Sequence, residues 1–87
     1  MSTADLIRQR LAALEPETFN LEDESAQHKG HAGAASGGGH FRLTLVSSKF
    51  RNLSTLARHR LVYETLGDLM QREIHALSIT ALTPEEL

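Results

Sequence analysis

Residues 25–39, Ser-Ala-Gln-His-Lys-Gly-His-Ala-Gly-Ala-Ala-Ser-Gly-Gly-Gly, split this chain into two blocks and set the terms on which it folds. The segment holds five of the chain's six glycines and no large apolar side chain. Such a stretch buries too little to offset the entropy of ordering its backbone, so the sequence predicts a long mobile loop. A loop of this length in a small domain is usually functional or disordered. The core therefore has to come from the blocks on either side of it. With 87 residues in all, a single domain over 1–87 is expected, hiding only about 60% of the surface its unfolded chain exposes.

Each block carries readable elements. Leu6, Ile7, Leu11 and Leu14 recur at helical spacing, Ser2 or Thr3 stands ready to cap them, and Pro16 stops the run. This predicts a helix over 3–14. Phe19 and Leu21 alternate with Asn20 and Glu22 in a short strand ending near Asp23. Beyond the loop, Phe41, Leu43 and Leu45 alternate with Arg42 and Thr44 as a second strand. Strand, loop and strand together read as an antiparallel hairpin with an elaborated tip. Residues 47–53 read as a turn, and Ser54 opens a helix expected to reach about Met70, with Ala57, Leu61, Leu66 and Leu69 near one face. Gly67 falls inside that pattern at a cost of about 1 kcal/mol against alanine. Residues 74–82 form a third strand, in which His75 shares parity with Leu77, Ile79 and Ala81. Thr83-Pro84-Glu85-Glu86 is a helix start: Thr83 as cap, Pro84 at the first position, Glu86 closing a capping box.

The order α-β-β-α-β-(α) predicts an α+β sandwich, three strands with helices packed on one face. If the strands at 41–45 and 74–82 pair in parallel, their helical crossover should be right-handed.

The chemistry available is narrow. Cysteine is absent. That removes disulfides, a thiol nucleophile and any metal or cluster site built on thiolates of this chain. No Gly-x-Ser-x-Gly elbow is present, and Gly37-Gly38-Gly39 leads into a strand without the Lys-Ser/Thr of a phosphate loop. Glu22, Asp23 and Glu24 are adjacent on a strand end, where alternation sends them to opposite faces. A non-enzymatic role is expected. No apolar run approaches the roughly 18 residues of a membrane span. Asp5, Arg8 and Arg10 in the first helix are unlike a signal peptide, so a cytoplasmic address is expected.

Five histidines remain to be explained. His28 and His31 lie three residues apart in the loop, where the plain reading is a solvated segment with incidental histidines. His40 begins the second strand. His59 stands between Arg58 and Arg60 on a polar helical face. A lone histidine at a strand start such as His75 is more often a satisfied edge residue than a ligand. Charge is uneven. The net charge is −2, yet residues 40–75 carry Arg42, Lys49, Arg51, Arg58, Arg60 and Arg72 against Glu64, Asp68 and Glu73.

Several segments, in order, resemble one family. Asp23-Glu-Ser25 followed by His28, then His40-Phe-Arg-Leu-Thr-Leu-Val-Ser-Ser-Lys-Phe50, Arg58-His-Arg-Leu-Val-Tyr63, Ile74-His-Ala-Leu77 and Thr83-Pro-Glu85 are similar to the BolA family, from about residue 5 to 86. The resemblance implies a class II KH-like fold with a three-stranded mixed sheet. It implies a partner too, a monothiol glutaredoxin, with which relatives share a [2Fe–2S] cluster whose remaining ligands are cysteines of glutaredoxin and glutathione. On this likeness the metal ligands here are His75 and either His28 or His31 from the loop, and the chain alone holds no cofactor. His59 matches a family motif residue whose role is open. Asn52 stands where the family often has glycine, and asparagine tolerates the left-handed backbone.

Two functions emerge as expectations. The first is an accessory role in iron–sulfur trafficking or iron regulation. Free imidazole titrates near pH 6.5, so ligation should weaken in mild acid. The second is a nucleic-acid-binding transcriptional regulator using Arg51, Arg58 and Arg60, against which stand the net negative charge and the shortage of stacking aromatics.

Overall fold

A computed structural model describes residues 1–24 and 39–87. Helix α1 spans Thr3–Leu11. Ser2 caps it: its Oγ accepts from the Asp5 N–H, and the Asp5 carboxylate accepts from the Ser2 N–H. The helix tightens into a 3-10 turn over Ala12–Leu14. Ile7, Leu11 and Leu14 are buried along one side, as their spacing predicts.

Strand β1 (Thr18–Asp23) and strand β2 (Gly39–Val46) form the expected antiparallel pair, with Phe19 opposite Leu45 and Leu21 opposite Leu43. Strand β3 (Ile74–Leu82) lies parallel to β2 on its other side. The sheet is therefore mixed, in the order β1-β2-β3. Phe41, Leu43 and Leu45 of the central strand pack against Ile7, Leu11, Phe50, Val62 and Leu66. Asn20, Glu22, Arg42, Ser78 and Thr80 lie on the opposite face, open to solvent. Alternation thus sorts each strand into an apolar face under the helices and a polar face in water.

Two boundaries differ from the sequence reading. The long helix does not reach Met70: α2 spans Thr55–Leu66 and a short α3 lies over Leu69–Arg72. Gly67 separates them with φ 58° and ψ −132°, its N–H donating to the Tyr63 carbonyl at 3.0 Å. An L side chain avoids that conformation. Arg10 Nη1 donates to the Leu66 carbonyl at 2.9 Å, satisfying one of the acceptors that the end of α2 leaves over. Leu69 stays buried because the chain turns rather than continues. The second difference is Gly39, which is strand and not loop, its N–H bonded to the Glu73 carbonyl at 3.1 Å. A Cβ there would run into the Phe41 ring. At the other end, the Thr83–Glu86 capping box forms as predicted but holds a 3-10 turn, Pro84–Glu86.

Ser47 joins the two blocks. It is fully buried, and its Oγ donates to the Leu14 carbonyl at 2.6 Å while accepting from the Lys49 N–H at 3.1 Å. Ser47→Ala strands that carbonyl, and a buried polar group left unmatched costs about 1–3 kcal/mol. In a domain of this size the melting temperature should fall by roughly 4–8 °C per kcal/mol. A melt unchanged by the substitution would mean that Ser47 does not tie α1 to β2.

Candidate metal centre

The site begins with an irregularity in the parallel pairing of β2 and β3. Gly39 pairs with Ile74, but the next residue, His40, pairs with Ala76. His75 is thus an extra residue on β3, a β-bulge, and bulges re-aim side chains at sheet ends. The consequence is visible in burial. Ile74 takes the core position at 4% exposure, His75 and Ala76 are exposed, and Leu77 turns inward again. The parity that placed His75 with Leu77 and Ile79 is therefore broken at this end of the strand. Ile74 and Leu77, three residues apart, both face the core, and the inserted residue leaves His75 in solvent.

His75 does not stand alone. Its ring and that of His40, at the start of the adjacent strand, have centroids 4.9 Å apart and planes inclined by 34°. His40 is half-buried with its Nε2 screened from solvent. A cavity of about 390 Å³ lies on its flank, lined by Glu24, His40, Phe41, Ala76, Leu77 and Ser78. The Glu24 N–H donates to the His40 carbonyl at 2.7 Å, and the Glu24 carboxylate meets Arg42 at 3.2 Å. The donor set is imidazole, which suits iron, zinc, copper and nickel, and it sits on hydrogen-bonded strands. Among the described residues there is no cluster of three or more His, Asp or Glu able to hold a metal. His28 and His31 lie outside the described residues. His59 is half-buried on α2, away from the His40–His75 strand end in sequence and on a different element.

The arginines singled out from the sequence have local partners. Arg51 makes a two-point ion pair with Glu85. This hydrogen bonding holds the Glu85 carboxyl below its ordinary value and the Arg51 guanidinium above its own. Arg58 is largely covered, its side chain 12% exposed. It donates to the carbonyls of Leu53 and Ala81, both at 3.0 Å, and to both carboxylate oxygens of Glu86, at 2.6 and 3.2 Å. Arg58 thereby pins the start of α2 and the end of β3 to the C-terminal turn. Arg60 is exposed.

A sequence model described as BolA-like protein matches residues 11–86. The chain belongs to the BolA family. It is 46% identical over 74 residues to BolA-like protein 1 from Mus musculus, a match covering 85% of this chain and 52% of that protein. It is 40% identical over 83 residues to the DNA-binding transcriptional regulator BolA of Vibrio cholerae, covering 94% of this chain and 76% of the other. The chain spans about half the length of the mouse relative. Among solved structures, the BolA domain of SufE1 from Arabidopsis thaliana superposes with a TM-score of 0.87 at 42% identity, over 100% of this chain and 98% of that one. The α+β architecture inferred from element order is thus that of a BolA domain. No helix among the described residues is long and apolar enough to cross a membrane.

Sequence reasoning singles out His75 but not its neighbour. His40 comes beside it because β2 and β3 run parallel with one residue inserted, a pairing between residues 35 apart in sequence. The Arg58 clamp in this BolA domain has a consequence in acid. Hydrogen bonding from Arg58 holds the Glu86 carboxyl at about 2, against an ordinary 4.5. A lowered folded-state pKa gives stability that is present above the unfolded value and lost as pH falls through the folded one. The C-terminal turn should therefore loosen between about pH 4.5 and pH 2, and Glu86→Gln should remove that limb of the acid melt. Amide exchange of Thr83 and Glu86 across this range tests it. Protection of both amides, taken relative to the intrinsic exchange rate at each pH, that stays constant down to pH 2 in the unmodified protein would contradict the clamp.

Proposed function

We propose that this BolA-like chain is a non-catalytic accessory protein that binds a monothiol glutaredoxin and shares a [2Fe–2S] cluster with it, in iron–sulfur trafficking or iron regulation. The observation that carries the proposal is the bulge that lifts His75 out of the sheet, an exposed imidazole on an otherwise regular strand. A bulge costs a ladder position, and its placement at a histidine rather than at a serine or alanine points to use of the imidazole. His75 supplies one donor and His28 or His31 the other, while glutaredoxin and glutathione supply thiolates. The cluster brings one-electron chemistry, and histidine in place of thiolate raises its potential. This chain's residues position the donors and leave the other iron to the partner.

The assignment of the loop ligand is decided by gel filtration of cluster-loaded mixtures. One of His28→Ala and His31→Ala should lower the cluster carried by the heterodimer at least tenfold, and the other should leave it unchanged. If neither variant changes it, the loop supplies no ligand.

A second reading has one finding in its favour, the name of the Vibrio cholerae relative as a DNA-binding transcriptional regulator. On this chain Arg51 and Arg58 already meet Glu85 and Glu86, and of the three only Arg60 shows no carboxylate partner among the described residues. Each phosphate contact adds about −0.9 to the slope of log affinity against log salt. The arginine arrangement predicts a shallow slope, and a slope steeper than about −3 would revive the regulator reading.

A further inference from the structure

We infer that β3 pairs with β3 of a second copy of this chain, antiparallel about a two-fold axis at Ser78, so that two sheets join into one. The inference goes beyond the shared-cluster reading and uses none of its ligands. It starts from the two edges of the sheet, which are built differently. β1 is six residues long and carries Glu22 and Asp23, with Glu17 and Glu24 just outside it. Charged side chains on an edge strand discourage pairing with another chain. β3 forms the other edge over nine residues, Ile74–Leu82, without a charged side chain or a proline.

The open stretch of β3 is bounded at both ends. The Ser47 N–H donates to the Leu82 carbonyl at 2.9 Å, so Leu82 turns its backbone groups toward β2. Directions alternate along a strand, so Ala81, Ile79 and Leu77 turn theirs outward. Arg58 Nη1 donates to the Ala81 carbonyl at 3.0 Å and closes that end, and the bulge at His75 interrupts the ladder at the other. Among the described residues no hydrogen bond reaches Leu77 or Ile79 from the outer side. The stretch between, residues 76–80, is centred on Ser78. A two-fold axis there sets Leu77 of each chain opposite Ile79 of the other, and each such pair exchanges both of its N–H to carbonyl bonds. On the helix-covered face the half-buried Leu77 and Ile79 then cover one another, while on the solvent face Ser78 meets Ser78. Apolar meets apolar and hydroxyl meets hydroxyl, so the occupant that fits this edge is the same strand. The contact is small beside the roughly 1,200–2,000 Å² of a stable interface, and association is therefore weak and reversible.

The test is sedimentation equilibrium of the full chain at neutral pH, carried up to about 1 mM, the range in which weak complexes form. The apparent mass should rise from one chain toward two. Amide resonances of Leu77 and Ile79 should move with concentration while those of Phe19 and Leu21 on β1 stay in place. Ser78→Lys sets two ammonium groups against each other on the axis and should weaken association roughly tenfold, and Ser78→Asp should do the same with two carboxylates. An equimolar mixture of the two variants should restore association, because lysine then faces aspartate. Ser78 is exposed, and amide spectra that overlay the parent's along β1 and β2 establish that the variants keep the fold. Should a variant unfold, the concentration-dependent shifts of Leu77 and Ile79 in the parent decide the question. A mass that stays at one chain up to about 1 mM would overturn the inference and leave the edge to an extended segment of another protein. Association that Ser78→Lys leaves unchanged, or that the mixture fails to restore, would overturn it by placing the contact on another surface. Glutaredoxin is absent throughout, so these outcomes leave the shared-cluster reading untouched, and a failure of cluster sharing leaves them untouched in turn.

Discussion

Replacing His75 by alanine is expected to abolish the cluster shared with a monothiol glutaredoxin while the domain folds as before. The two halves of that statement rest on separate facts. His75 is exposed and extra to the β2–β3 ladder, so it contributes no core contact and no paired backbone position. Exposed substitutions of this kind change stability by about 0.5 kcal/mol or less. The cluster, by contrast, loses a ligand that no other residue of β3 replaces: Ala76 is its exposed neighbour and Ser78 the next polar one. His75→Cys separates ligation from structure. A thiolate also ligates iron, so this variant should keep the cluster and lower its reduction potential relative to the histidine form. Visible circular dichroism with a redox titration reads both variants. Cluster loss in His75→Ala accompanied by a lowered melting temperature would make the residue structural, and an unchanged cluster would remove it from the ligand set.

The largest effect on stability should come from Phe50→Ala. Phe50 is fully buried in the 3-10 turn Ser48–Phe50, where β2 hands over to the helical layer. It shares the core with Ile7, Leu11, Leu43, Val62 and Leu66, side chains from both the helices and the sheet. Truncating a buried phenylalanine costs about 3–5 kcal/mol in lost transfer energy and residual cavity. A chain of this length has a total stability of about 4–13 kcal/mol. The variant should therefore melt roughly 15–30 °C lower or show no cooperative transition. A loss under about 1 kcal/mol in urea would mean that the core closes over the missing ring, and that the helices and sheet are not keyed together at this point.

The parts of this structure that arise from local pattern are legible in the sequence. Alternation at Phe19/Leu21 and at Phe41/Leu43/Leu45 assigns each strand its buried face, and it survives because β2 pairs in register with β1. The end of α2 is harder. Leu66 and Leu69 continue the helical periodicity, but Gly67 adopts a backbone conformation that breaks the helix, and Leu69 is buried through a separate turn. Periodicity is the wrong guide there because tertiary contacts, including Arg10 on the Leu66 carbonyl, stabilise the break. The bulge at His75 does leave a signal in the sequence, one that strand parity alone overlooks. Ile74 and Leu77 are an odd number of positions apart, so a regular strand sends one of them to solvent, and an inserted residue is what reconciles them. The His40–His75 contact and the Arg58–Glu86 clamp have no such signal. They depend on which strands lie side by side and in which direction, and that is fixed only when the whole sheet assembles.

Cluster sharing is read out by titrating this protein anaerobically into a cluster-loaded monothiol glutaredoxin homodimer and monitoring visible absorption and circular dichroism. A new spectrum should appear and saturate at one chain per glutaredoxin, with the cluster-bearing heterodimer eluting as one species. A spectrum that stays that of the glutaredoxin homodimer, with no complex on gel filtration, would contradict it.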